Sequence, residues 1–388
     1  MKPNTQSRRR WLKNSVGLLA AGTLMPNLKA EKDISSYANQ IHPLTGRWMM
    51  DEVLKDPMIK VRLTSNENPY GPSDRAKMAV IEGFKDANLY SRHVAISLKD
   101  KISTYEGVHT DQIFLCSGLS EVLNLLGSLT GLEHGDMISA HPTFDLMPAL
   151  AAKVGGEWKQ IPLNEQYQHD LPAMEKAVTS KTKLVYICNP GNPCPTILDP
   201  QMLSSFCDRV SNKTLVFVDE AYNEYVPNGA QHSMVNKIKA GKNVMIGRTM
   251  SKVHGFAGLR VAYVIAPAGV VKDLEKYRTW EYSLNAPSMH ATIKTIDDEA
   301  FKQDCVQKNK NTRDMTVAAL QSMGYSPLPS YTNFIIFPIK KDGKEFVQMM
   351  ADKGIGLRSW AFNDQQWCRV SIGTMEEMKM FLAAMKEV

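Results

Sequence analysis

Five short apolar runs, each stopped by a turn or by polar, ring-bearing or ionisable residues, constrain the fold of this chain more than any other feature. The first, within Gln112 to Leu129, turns at Gly118 into a thoroughly apolar helix beginning near Ser120. The others are Met137 to Ala140 before HPTFD, Lys183 to Cys188 before NPGNPCP, Thr214 to Val218 before DEAY, and Val244 to Gly247 before RTMSK. Continuous apolar runs of this length read as buried strands, and their alternation with helical patterns predicts an α/β fold with a mostly parallel central sheet flanked by helices. In such a sheet the crevice beyond the carboxyl ends of the strands is where ligands bind, so the last four endings are expected to converge on one candidate site.

A length of 388 residues with 43% apolar content suits about two domains with a sizeable core. Four segments are expected. Residues 1–30 form a leader and 31–74 a polar arm that joins a smaller domain. Residues 75–285 form the large domain, and 286–388 a small α+β domain with strand-like runs at Asn333 to Phe337 and Cys368 to Ile372. At the end of the arm, Asp74 is placed to cap a helix carrying Ala76, Val80 and Phe84. The net charge of +6 resides in the leader, where Lys2, Arg8, Arg9, Arg10, Lys13 and Lys29 stand without an acid. The remaining basic residues equal the 40 acidic ones, which leaves no electrostatic footprint for nucleic acid. The leader resembles a twin-arginine export signal, with Arg8-Arg9-Arg10 ahead of a modest apolar stretch from Val16 to Leu28 and a small residue at Ala30. That resemblance implies passage of a folded protein through the twin-arginine machinery to the periplasm, or a cytoplasmic location if the signal is unused. No pair of the six cysteines has CxxC spacing, which argues against a zinc site, and Cys116, Cys188 and Cys368 sit in apolar runs that favour buried free thiols.

The stretch Asn243 to Pro267 carries the chemistry. Its two apolar runs are separated by Thr249, Ser251 and Lys252, small residues at Gly255, Ala257 and Gly258, and then Arg260. A lysine amine beside hydroxyl donors, close-packing glycines and a permanently charged guanidinium suits a covalently held pyridoxal phosphate. Asp219, at the end of an apolar run, is a costly place for a carboxylate unless a cation such as a protonated pyridine nitrogen meets it. The ordinary use of Asp there is as a helix cap. Asn192 and Tyr222 can donate to a ring oxygen, and Phe144 offers a face for stacking.

With these residues in place, the chain is similar to the fold-type-I pyridoxal-phosphate aminotransferases, and within them to the histidinol-phosphate aminotransferase group. The motifs NENPYGP (Asn66 to Pro72), NPGNP (Asn189 to Pro193), DEAY (Asp219 to Tyr222), SKVHGFAGLR (Ser251 to Arg260) and RVSIGT (Arg369 to Thr374) occur in the family's order. The resemblance implies Lys252 as the lysine that holds the cofactor, Asp219 as partner of the ring nitrogen, and Asn192 with Tyr222 at the ring oxygen. It implies a phosphate cup from the backbone of Leu119 and Ser120 with Thr249, Ser251 and Arg260. Arg369 would grip the substrate α-carboxylate near Asn333, and Arg358 matches a position used for the distal phosphate of histidinol phosphate. Tyr70 would reach the cofactor phosphate of a neighbouring subunit, which implies a homodimer with shared sites. The chain departs from the family at Cys194-Pro195, where Thr-Gly is usual, and at the bulkier Leu119.

The implied reaction is ping-pong transamination between an amino acid and a 2-oxo acid. One alternative keeps the cofactor and breaks a different bond, as relatives that decarboxylate phosphorylated amino acids do. Another is a binding or regulatory protein with an aminotransferase-like body, which would need a DNA-binding segment or a lost lysine, and neither is visible.

Overall fold

The computed structural model describes residues 59–278 and 284–388. The export-signal segment and residues 31–58 of the arm lie outside the described residues. The described chain opens with β1 (Val61–Arg62), followed by β2 (Ile113–Cys116), β3 (Asp136–His141), β4 (Glu157–Pro162), β5 (Thr182–Cys188), β6 (Leu215–Asp219), β7 (Val244–Thr249) and β8 (Ala262–Ile265). Strands β2 to β8 make one seven-stranded sheet in the order β2-β8-β7-β6-β5-β3-β4. Neighbours from β4 through β7 run parallel, and β8 runs antiparallel to both β7 and β2. The mixed α/β architecture with a mostly parallel central sheet is thus the one expected.

Period-two alternation sorts each strand's side chains onto two cores. Val185, Ile187, Val216, Val218, Val244 and Ile246 join a core shared with the helices Asp74–Gly83, Arg92–Glu106, Pro200–Val210 and Ala286–Thr295. Leu184, Tyr186, Cys188, Phe217 and Met245 face the other core, shared with Leu119–Leu132, Leu146–Lys153 and Ala268–Glu275. The central strands are buried along nearly their whole length, as strands covered on both faces must be, whereas β4 at the edge is partly exposed throughout.

The C-terminal part builds a second sheet. Here β9 (Phe334–Ile339), β11 (Arg358–Phe362) and β12 (Gln365–Ser371) pair antiparallel in the order β11-β12-β9, and β10 (Ile355–Gly356) pairs in parallel with β1. A third core lies between this sheet and the helices Gly343–Asp352 and Met375–Met385. The last helix starts at a capping box in which Thr374 and Glu377 satisfy each other's backbone N–H groups.

Two local expectations are corrected. The cap of Asp74–Gly83 is Ser73, whose hydroxyl accepts from the Ala76 N–H, and Asp74 is the first helical residue, where its charge meets the helix dipole. Phe84 stands beyond that helix, 63% exposed. The helix Ala286–Thr295, at the start of the segment expected to form the small domain, packs on Asp74–Gly83 and Arg92–Glu106 beside the large sheet. The six cysteines are all buried and free.

Candidate active site

The carboxyl ends of β2, β3, β5, β6 and β7 lie along one edge of the large sheet, and the alternation that builds the two cores also aims the site residues. On β6, Val218 faces the first core, so Asp219 points to the opposite side, and Glu220 turns back to meet Arg248 with a 2.8 Å ion pair. On β7 the same alternation separates Arg248 from Thr249.

Asp219 is 4% exposed; its Oδ2 accepts from the Tyr186 hydroxyl at 3.0 Å and its Oδ1 from the Ala221 N–H at 3.1 Å. Burial pushes its carboxyl up to about 6, against the opposing pull of those two donors and of Lys252. A carboxylate held this way gains when a cation arrives, which is what a protonated ring nitrogen provides.

Lys252 follows the end of β7. Its Nζ donates to the carbonyls of Ser65 and Asn66 at 3.3 and 3.2 Å and lies 5.4 Å over the Tyr222 ring. Burial first, and then the charge of Arg369, bring its amine down to about 8; Glu67 and Asp219 oppose the shift and Arg358 adds to it. Such an amine is far closer to its neutral, nucleophilic form than a solvated lysine.

The residues expected to form the phosphate cup lie around the start of Leu119–Leu132. Gly118, at φ 77° and ψ 153°, brings the chain into the helix, and no side chain caps that N-terminus. The Arg260 guanidinium reaches across to donate from Nη2 to Ser120 Oγ at 3.0 Å, and an added Cβ on Gly118 would lie 2.0 Å from that same Nη2. Thr249 Oγ1 accepts from the Ser251 N–H at 3.1 Å, which fixes the Thr249 hydroxyl within this turn. An uncapped helix N-terminus, an arginine and hydroxyls around a glycine cradle suit a phosphate monoester. Leu119 packs its side chain into the second core, so its bulk does not enter the cup, and Phe144 packs against the same core after β3.

Arg369 on β12 is 3% exposed, with Nη1 donating to Asn192 Oδ1 at 2.7 Å and Nη2 to the Thr64 carbonyl at 2.6 Å. Its guanidinium lies between the rings of Trp360 and Phe334, 4.6 and 5.2 Å from their centroids. Arg358 is its direct cross-strand partner on β11. Two guanidiniums thus share one face of the small sheet within the field of Lys252, an arrangement suited to substrates with more than one anionic group. Asn192, expected at the ring oxygen, spends its carbonyl oxygen on Arg369 and keeps its amide hydrogens for another acceptor. Tyr70 lies against Glu299–Ser322, its ring 4.9 Å below Lys308 Nζ.

Sequence reasoning missed two residues. Tyr186 looked like core until its hydroxyl was found on Asp219. Asn66 was read only as part of a loop motif, yet it sits at φ 54° and touches Tyr222, Lys252, Asn333 and Ser371. Its left-handed backbone, which Asn tolerates better than most residues, was a signal available in the Asn-rich turn. Asn333 donates from Nδ2 to the Asn66 carbonyl at 2.9 Å, so it supports this loop. Gly255 meets the loop from the other side: an added Cβ would lie 2.4 Å from the Gly71 carbonyl carbon.

The comparisons with known proteins agree with this geometry. Residues 58–385 match the family described as aminotransferase class I and II. Among curated relatives, the histidinol-phosphate aminotransferase of Moorella thermoacetica is 33% identical over 344 residues, 87% of this chain and 88% of that protein. The corresponding enzyme of Bacillus licheniformis is 32% identical over 90% of this chain and 97% of its own length. Among solved structures, histidinol-phosphate aminotransferase from Sinorhizobium meliloti in complex with pyridoxal-5'-phosphate superposes with a TM-score of 0.79 at 24% identity, covering 94% and 98% of the two chains. L-threonine-O-3-phosphate decarboxylase from Porphyromonas gingivalis shares the fold at a TM-score of 0.72 and 19% identity, covering 84% and 98%. A half-buried lysine of lowered basicity and a buried carboxylate awaiting a cation, beside a helix N-terminus that suits a phosphate, found in a chain with these relatives, lead to one conclusion: the chain belongs to the class I and II aminotransferases and is a pyridoxal-phosphate-dependent enzyme of transamination.

Proposed function

We propose that this enzyme takes its amino group from donors that carry two anionic groups, or a phosphate ester as histidinol phosphate does, and passes it to a 2-oxo acid by ping-pong chemistry. The observation that carries this reading is the pairing of Arg358 with Arg369 across β11 and β12, beside Lys252. The curated relatives, which are named for histidinol phosphate, support the donor class.

In this reading Lys252, Asp219 and Tyr222 are the catalytic residues. Pyridoxal 5'-phosphate supplies, when bound, an aldehyde that condenses with primary amines and a ring that draws electrons from the substrate α-carbon. Lys252 contributes the amine that holds it. The same amine, with a pKa of about 8, would be suited to taking a proton from the substrate Cα and giving it back. Asp219, held in place by Tyr186, would keep a ring nitrogen protonated. Leu119, Ser120, Thr249, Ser251 and Arg260 would receive the phosphate, with Phe144 to stack on the ring and Asn192 and Tyr222 to donate to its oxygen. Arg369, braced by Asn192 and the Thr64 carbonyl, fixes the α-carboxylate, with Asn333 holding the loop nearby. Arg369, by holding the α-carboxylate in place, would favour proton loss from Cα over loss of carbon dioxide. The reading includes a homodimer in which Tyr70 reaches the partner's cofactor phosphate. It also includes export by the twin-arginine route to the periplasm, for which the basis is the sequence of residues 1–30.

The test is a panel of donors assayed for oxo-product formation and carbon dioxide release, with Arg358→Gln alongside. Loss of one charge-assisted contact of about 1.5–3 kcal/mol should lower kcat/KM for doubly anionic donors by roughly 10- to 100-fold relative to neutral amino acids. An unchanged ratio, or carbon dioxide as the product, would refute the proposal.

A further inference from the structure

We propose that Ser371 and Asn66 form a directional hydrogen-bond relay that fixes Tyr222 as a donor towards the cofactor, making Asn66 and Ser371 positioning residues for the reaction. The inference rests on the placement of Tyr222 at the ring oxygen in the reading above.

The relay follows from counting hydrogens. The Asn66 backbone N–H donates to Ser371 Oγ at 2.7 Å, so the only hydrogen on that hydroxyl is left to donate, and it does so to Asn66 Oδ1 at 3.0 Å. With its oxygen thus engaged, the Asn66 amide can present only Nδ2 to the other side, where it donates to the Tyr222 hydroxyl oxygen at 3.0 Å. That phenol has accepted a bond and retains one hydrogen to give away. All three residues are buried, at 2%, 4% and 4% exposure for Asn66, Ser371 and Tyr222, so water does not compete to reverse the chain. Reversal would leave the Ser371 hydroxyl hydrogen without its acceptor and make two donors share one oxygen. The Asn66 carbonyl also accepts from Lys252 Nζ and Asn333 Nδ2, which pins the residue from a third direction.

A phenol obliged to donate stabilises the ionised ring oxygen of the bound cofactor and lowers the pH at which its visible absorbance changes. The assay is a spectroscopic pH titration of cofactor-loaded protein without substrate, a readout that does not depend on turnover. Asn66→Asp, nearly the same shape, offers an acceptor where the amide donor was and draws the Tyr222 hydrogen away. Its midpoint should rise by about one pH unit or more, the equivalent of losing one hydrogen bond to a charged group. Ser371→Ala removes a single atom, leaves the amide free to turn over, and should move the midpoint the same way by less. Because Ser371→Ala disturbs the fold least, it keeps the test open if Asn66→Asp loads poorly. Tyr222→Phe is the reference. A midpoint that moves in Tyr222→Phe but in neither relay variant overturns the relay alone. A midpoint unmoved by Tyr222→Phe overturns the relay together with the placement of Tyr222. Absence of the absorbance band in wild-type protein overturns the Lys252 reading itself.

Discussion

Replacing Gly118 with alanine should weaken the grip on the cofactor's phosphate while sparing its ring. The backbone there, at φ 77° and ψ 153°, lies in a region that L side chains rarely enter, at a cost of order 1–3 kcal/mol. The new methyl would lie 2.0 Å from Arg260 Nη2 and 2.6 Å from its Cζ, so the guanidinium must move and give up Ser120 Oγ. A charge-assisted contact is worth about 1.5–3 kcal/mol, which converts to a loss in pyridoxal phosphate affinity of roughly 10- to 100-fold. The backbone strain falls on stability and appears as a lowered thermal midpoint of the cofactor-free protein. The decisive assay compares binding of pyridoxal phosphate with binding of pyridoxal, which lacks the phosphate. The ratio of the two affinities should collapse in Gly118→Ala. Equal weakening of both ligands, or no weakening of either, would refute the placement of the phosphate at Gly118 and Arg260.

Two further outcomes follow from buried charges. With Lys252 at about 8, the neutral amine becomes tenfold scarcer for each unit of pH below that point, so the rate at which cofactor-free protein takes up pyridoxal phosphate should climb to about pH 8 and then level off. A rate still climbing above pH 9 would mean an ordinary solvated lysine. Asp219 titrates near 6 in the folded cofactor-free protein against 3.8 for a free carboxyl, so the native state holds its proton longer than the unfolded chain between those values. Stability should therefore fall as pH rises through that window, by ~3 kcal/mol in all. Asp219→Asn should abolish this fall, leaving cofactor-free protein more stable at pH 7 and less active once loaded. Denaturant titrations at pH 5 and pH 7 check it, and equal slopes in both proteins would contradict the burial argument.

The parallel core of the sheet was legible because strands covered on both faces leave continuous apolar runs. The runs at Lys183, Thr214 and Val244 differ from the observed β5, β6 and β7 by a residue or two at their ends. Less visible were β4, whose mixed sequence EWKQIP reflects its place at an edge, and the antiparallel insertion of β8 between β7 and β2. Nothing in a strand's own composition states the direction of its neighbour. Lys252 and Asp219 stood out because each is an ionisable residue where an apolar run ends, whereas Arg369, inside the buried run of β12, was marked only by the family resemblance of its motif. Tyr186 and Asn66 did not, because their roles arise from contacts 33 and 305 residues away.

That separation governs when the enzyme can first work. Thr64 and Asn66, near the start of the folded body, close the pocket only by bonding to Arg369 and Ser371, close to its end. During synthesis the lysine and aspartate emerge well over a hundred residues before those partners. A chain that has not yet delivered Arg369 and Ser371 therefore carries the amine without one of the charges that lower its basicity and without the bonds that fix Thr64 and Asn66.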